Sequence, residues 1–257
     1  MAQKKPWHLS GRVVLITGAS RGIGAAVAVH MAELGARVAI NYLKSRKSAL
    51  SVLRKVEGTE KGKGIIVQAD VTQRDAVDEM EKTIRGAFGP VDILVNNAPI
   101  LFEINPVHQI SWDGLRKAIE HELSALHNCV HSVVPGMMAK KRGKVIIMSS
   151  RLAQQPLPKM GAYAAAKGAL EALANTMAVE LGPFGITVNL VTPAFTLTEG
   201  SRVMPEGFSE KVRLSRPLQK HLYPEDIAGA VAFLASDQAD MITGSNLLVS
   251  GGSHLKF

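Results

Sequence analysis

A chain of 257 residues with one cysteine, Cys129, cannot carry an intrachain disulfide framework and suits a reducing compartment. Aromatic residues make up only 5% of it, which leaves no stacking platform for single-stranded nucleic acid. No apolar run approaches the length of a membrane span. The opening residues, Met1 to His8, lack the apolar core of a signal peptide, so a cytoplasmic protein is expected. There is no Pro/Gly/Ser-rich linker, internal repeat or low-complexity block, and residues 1–257 read as one domain. Acidic residues are the scarcer sign, 22 Asp+Glu against 30 Lys+Arg, for a net charge of +8. The basic residues are scattered, which argues against nucleic acid and for anionic cofactors or acidic substrates.

What is present is a regular alternation. Strand-like runs rich in Val and Ile are Arg12 to Thr17, Ala36 to Tyr42, Gly64 to Gln68 and Val91 to Val95. Lys144 to Ser149, Ile186 to Val191 and Asn246 to Val249 continue the series. Their nearly continuous apolar character is that of strands buried on both faces. Helical patterns separate them, among them Asp75 to Phe88, Gly114 to Lys140 and Gly161 to Leu181. Repeated βαβ units predict an α/β fold: one doubly wound, Rossmann-like domain, with a parallel sheet of about seven strands and helices on both faces.

The first strand leads into Thr17-Gly18-Ala19-Ser20-Arg21-Gly22-Ile23-Gly24 and then a helix. Gly18 permits the tight turn, Gly22 close backbone approach and Gly24 helix packing, so that a dinucleotide pyrophosphate meets the helix amino end. An NAD site places an acid at the end of the second strand to hold the ribose 2′-hydroxyl. Here that stretch, Ile40 to Lys47, has none. Arg21 with Lys44, Arg46 or Lys47 suits a 2′-phosphate instead, and the expected cofactor is NADP(H).

Tyr163 and Lys167 stand four residues apart in a helical stretch, with Ser150 thirteen residues upstream of the tyrosine. That spacing puts phenol and ammonium on one helix face. A unit charge about 4 Å away, at an effective dielectric near 20, is worth roughly 4 kcal/mol. A phenol beside it can give or take a proton near neutrality.

Taken together, the chain resembles the short-chain dehydrogenase/reductases from Arg12 to Gly252, most nearly the 3-oxoacyl-[acyl-carrier-protein] reductase-like members. The glycine-rich turn, Asn96-Asn97-Ala98, Ser150, Tyr163 and Lys167 fall in that family's order and spacing, and Val249 to Gly252 resembles its closing strand. The resemblance implies hydride transfer between nicotinamide and a ketone or secondary alcohol, with a carrier- or CoA-linked 3-oxoacyl thioester among the substrates it implies. Tyr163 would be the proton donor, Ser150 the donor that orients the carbonyl, and Lys167 the cation that binds the nicotinamide ribose. Cofactor contacts would fall on Gly18, Ser20, Arg21, Gly22, Ile23, Gly24, Asn41, Asp70, Val71, Asn97 and Thr196, besides Tyr163 and Lys167. A homodimer or homotetramer is expected, with the small residues of 161–181 at an interface or packed within the subunit.

Three positions depart from the family. Glu122 replaces an asparagine that supports a water relay to the lysine. It is expected to join that relay, to pair with Lys167, to disturb it, or to pair locally with Lys117 or His127. Pro99 replaces a glycine and loses a backbone donor. Ala194 also replaces a glycine, so a positive φ there would carry strain. These changes keep open a catalytically weak or inactive dinucleotide-binding regulator.

Other patterns carry less. His121, His127 and His131 have no cysteine partner, and no metal site is expected. Neither Ser149 nor Ser150 sits in a G-x-S-x-G elbow. Residues 195–221 read as a substrate lid carrying Arg202, Lys211, Arg213, Arg216 and Lys220. With Arg151 and Lys159 near the pocket mouth, they suggest an acidic or phosphopantetheine-linked substrate.

Overall fold

The computed structural model describes residues 7–255, the side chains of Arg202 and Val203 aside, so the expected leaderless start falls mostly outside it. Seven strands form one sheet: β1 (Val13–Ile16), β2 (Arg37–Tyr42), β3 (Lys63–Gln68), β4 (Ile93–Asn96), β5 (Gly143–Met148), β6 (Ile186–Pro193) and β7 (Asn246–Val249). The order is β3-β2-β1-β4-β5-β6-β7 with every pairing parallel. The helices are α1 (Gly22–Glu33), α2 (Arg46–Glu57), α3 (Arg74–Phe88), α4 (Trp112–Ala139), α5 (Gly161–Leu181), α6 (Phe208–Leu214) and α7 (Pro224–Ala235).

Alternation along β1 shows why the sheet needs cover on both sides. Val14 and Ile16 enter a core with α1, α2 and α7, whereas Val13 and Leu15 enter one with α3, α4 and α5. Each fully buried Val, Leu or Ile contributes about 1.5–3 kcal/mol, so the strands are held by their side chains on both faces. The order reverses at β1/β4, and there the carboxyl ends of the strands leave a crevice that suits a ligand. Among the described residues, no helix is long and apolar enough to cross a membrane.

Cys129 lies inside the α4 face of the second core, where burial pushes its thiol up to about 12. With so little thiolate near neutrality, the folded protein will resist alkylation by iodoacetamide. Urea-unfolded protein will react at the ordinary thiol rate, and equal rates in the two states would contradict this burial.

Small residues divide the work of α5. Ala162 and Ala166 pack against Ala118 of α4, while Ala165, Ala172 and Val179 are exposed at seven-residue intervals.

Candidate active site

The crevice is built on Thr17. Its hydroxyl accepts from the backbone N–H groups of Asn97 (2.8 Å) and Ala98 (3.0 Å), locking the turn after β1 to the turn after β4. Gly18 has φ +61°, and a Cβ there would lie 2.7 Å from the Ala98 Cα. Beyond it, Gly24 is the third residue of α1, where a Cβ would stand 2.5 Å from Asn97 Nδ2 and 2.9 Å from the Gly18 oxygen. The first turn of α1 has no side-chain cap and no acid, leaving its N–H groups to an anion.

The side chains of two residues expected to touch cofactor brace this turn. Asn41 Oδ1 accepts from Gly18 N at 3.1 Å, and its Nδ2 donates to the carbonyls of Val67 and Ala69. Asn97 Nδ2 donates to the carbonyls of Thr17 (2.8 Å) and Gly18 (3.2 Å). Asp70 Oδ1 accepts from the N–H and hydroxyl of Thr72, next to buried Val71. Thr196 Oγ1 donates to the Ala194 carbonyl at 2.9 Å. Ser20 and Ile23 are half-buried, and Arg21, Lys44, Arg46 and Lys47 are exposed. A cleft of about 1100 Å³ borders the turn at Ser20, Arg21 and Gly22 and reaches Thr198 and Met204, but neither Tyr163 nor Ser150 lines it.

Chemistry gathers where β5 ends against α5. Lys167 Nζ donates to the Met148 carbonyl at 2.8 Å, two residues before Ser150. The same nitrogen lies 5.9 Å from the Tyr163 ring centroid. Phe102 packs tilted on that ring, centroids 4.7 Å apart. The adjacent serines differ. Ser149 is buried and donates to Glu171 Oε1 at 2.6 Å, while half-buried Ser150 accepts from Leu152 N at 3.2 Å.

Glu122 resolves one of the sequence alternatives. It reaches across from α4 to pair with Lys167, Oε1 to Nζ 2.9 Å, while Lys117 pairs with Asp113. Ala194 has no positive φ and so carries no strain of that kind. Pro99 is exposed and closes over the Gly18 turn, its Cδ 3.2 Å from where a Gly18 Cβ would stand.

Several cations suggested for substrate are committed elsewhere. Arg216 is 3% exposed and donates to the carbonyls of Phe195 and Lys220, joining the two ends of segment 195–221. Burial, and then the nearby positive charge of Arg151, hold its guanidinium below the ordinary value, against a smaller opposing pull from Asp226. Arg213 pairs with Glu210, and Arg151 Nη1 donates to the Ser253 carbonyl at 2.6 Å. Lys159, Lys211 and Lys220 are exposed, and the Arg202 side chain lies outside the described residues. His127 and His131 stack 4.2 Å apart between centroids. Among the described residues, no group of three or more His, Cys, Asp or Glu is placed to hold a metal.

The fold and the glycine-rich turn suit a dinucleotide-dependent oxidoreductase, and similarity to known proteins agrees. Residues 18–254 match the family model described as enoyl-(acyl carrier protein) reductase. A 3-oxoacyl-[acyl-carrier-protein] reductase, FabG, of Staphylococcus epidermidis is 36% identical over 246 residues, 94% of this chain and 98% of that protein. The 3-oxoacyl-[acyl-carrier-protein] reductase of Synechocystis is 35% identical over 246 residues, 95% of this chain and 97% of that protein. A mutant short-chain dehydrogenase/reductase of Serratia marcescens superposes with a TM-score of 0.86 at 31% identity, over 96% of this chain and 99% of that one. The chain belongs to the short-chain dehydrogenase/reductase family.

Proposed function

We propose that this oxidoreductase uses NADPH to reduce the ketone of a 3-oxoacyl thioester presented on a carrier. The observation that carries the reading is the β5–α5 junction, where Lys167 binds the Met148 carbonyl beside Ser150 and lies 5.9 Å from the Tyr163 ring centroid. Proton donor, hydroxyl and ammonium thus lie on adjoining elements. Bound nicotinamide supplies the hydride. Tyr163 Oη gives its proton to the carbonyl oxygen as that oxygen gains charge, and Ser150 Oγ donates to the same oxygen and orients it. In alcohol oxidation the phenolate takes the proton back.

The choice of NADPH rests on charge. The uncapped start of α2 has Ser45 as N-cap without a side-chain bond and no acid in its first turn. Exposed Lys44, Arg46 and Lys47 surround it, with Arg21 at the neighbouring turn. A 2′-phosphate fits cationic side chains and free helix N–H groups, whereas a bare 2′-hydroxyl lacks its usual carboxylate. The thioester comes from the named activities of the staphylococcal and Synechocystis relatives. The description of the matching family model supports a second reading, reduction of an enoyl thioester. We place the protein in the cytoplasm as a homodimer or homotetramer, with the exposed small-residue stripe of α5 buried between copies.

The test monitors NADPH and NADH consumption with 3-oxoacyl, enoyl and simple ketone substrates. The expected result is oxidation of NADPH by the 3-oxoacyl thioester, with kcat/KM for NADH lower by about tenfold or more. Preference for NADH refutes the phosphate site, turnover of the enoyl thioester alone selects the second reading, and cofactor binding without any turnover refutes the enzyme.

A further inference from the structure

We propose that Glu122 is the fixed counter-ion of Lys167, a positioning residue that limits how strongly this ammonium acts on Tyr163; the inference rests on reading Tyr163 as the proton donor. The two side chains come from different helices and are both buried, Glu122 2% and Lys167 6% exposed. Their contact, 2.9 Å from Nζ to Oε1, is an ion pair without solvent between its members. A lone ammonium would spend its whole field on the phenol. A carboxylate at hydrogen-bond distance cancels much of that field within a few ångströms.

The pair also fixes how many donors are left. An ammonium has three N–H groups, and Glu122 and the Met148 carbonyl take two, leaving one for a ligand. Glu122 Oε2 is buried without a hydrogen-bond partner. Among the described residues, the ion-pair partner of Glu122 is Lys167.

The other charged groups on the surrounding elements have engagements of their own. Glu171, one turn along α5 from Lys167, accepts from Ser149, Gln154 and Asn246. Arg151, just after β5, donates to Ser253. On α4, Lys117 pairs with Asp113, and His121 lines an open groove with His127. Asn96 ends β4 and Asn97 follows it, both neutral, and Glu103 farther along accepts from the N–H and hydroxyl of Ser111. The direct electrostatic control on Lys167 therefore falls to Glu122.

The test is a titration of tyrosinate absorbance in the cofactor-free protein. Parent and Glu122→Gln are each compared with the same protein carrying Tyr163→Phe. The chain has three tyrosines, Tyr42, Tyr163 and Tyr223, so the difference isolates one phenol. Glutamine keeps the shape and the acceptor oxygen but removes the charge. Half-ionisation is expected at least about one pH unit lower in Glu122→Gln than in the parent. Glu122→Asp, which keeps the charge, is expected to stay near the parent. Should Glu122→Gln fail to fold, Glu122→Asn is the second neutral variant and carries the same expectation. The acid limb of alcohol oxidation moves with the absorbance in each case. Coincident titrations of the parent and a folded neutral variant overturn the inference. Turnover that survives Tyr163→Phe overturns instead the reading on which it rests.

Discussion

Tyr163→Phe will lower kcat/KM for ketone reduction by about 10²- to 10⁴-fold, the range that a positioned general acid supplies. At 10³-fold the lost transition-state stabilisation is about 4 kcal/mol. Nucleotide affinity is expected to change by less than about threefold, because the substitution removes one hydroxyl and leaves the ring. That ring keeps its tilted contact with Phe102, and Ala162 and Ala166 on either side still pack against Ala118. Fluorescence titration with NADPH and stopped-flow reduction measure the two quantities separately. Tyr223→Phe is the control, since Tyr223 stands at the start of α7, outside the β5–α5 junction. Loss of affinity in parallel with rate would mean that the phenol serves binding rather than proton transfer.

The sheet was legible because its signal is repeated and local. Asn246 to Val249 and Gly161 to Leu181 coincide with observed elements, and most other boundaries move by one or two residues. Where they move, tertiary pairing decides. β4 starts at Ile93 rather than Val91, and Asp92 just before it accepts from Val13 N and Lys140 Nζ. β6 runs on to Pro193 because that residue is still in register with Val249 of β7. Tyr163 and Lys167 were legible for the same local reason: four residues on one helix settle their relation.

Partners distant in sequence were not legible. The sequence offers Lys167 as one of several partners for Glu122, but the choice among them depends on how α4 crosses α5. Asn41 and Asn97 are expected from the family resemblance to contact cofactor, and their side-chain amides hold the glycine turn. A sequence shows an amide at a strand end without showing which backbone groups would otherwise go unpaired. Arg216 looked like one lid cation among five. Its two carbonyl bonds make it a clasp between the ends of segment 195–221, a role that composition cannot separate from a solvated charge.

Gly24→Val will weaken NADPH binding by about 10- to 100-fold, equivalent to about 1.4–2.7 kcal/mol, and will lower thermal stability as well. The new Cβ would stand 2.5 Å from Asn97 Nδ2 and 2.9 Å from both Ala19 Cα and the Gly18 oxygen. Two of these neighbours are backbone, and the third is an amide already bonded to Thr17 and Gly18. None is the loose end of a flexible chain. Relief therefore requires the first turn of α1 to move away from the β1 and β4 turns, and that turn carries the N–H groups offered to the pyrophosphate. Overpacking of this kind costs about 1–3 kcal/mol, and each kcal/mol shifts the melting temperature by about 2–4 °C in a chain of this size. Gly86→Ala separates the site effect from the general cost of replacing a helical glycine. Gly86 is exposed on α3, its added Cβ meets nothing within 4 Å, and the change is expected to stabilise by about 0.4–1 kcal/mol with no effect on NADPH. Unchanged NADPH affinity in folded Gly24→Val would place the pyrophosphate somewhere other than the amino end of α1.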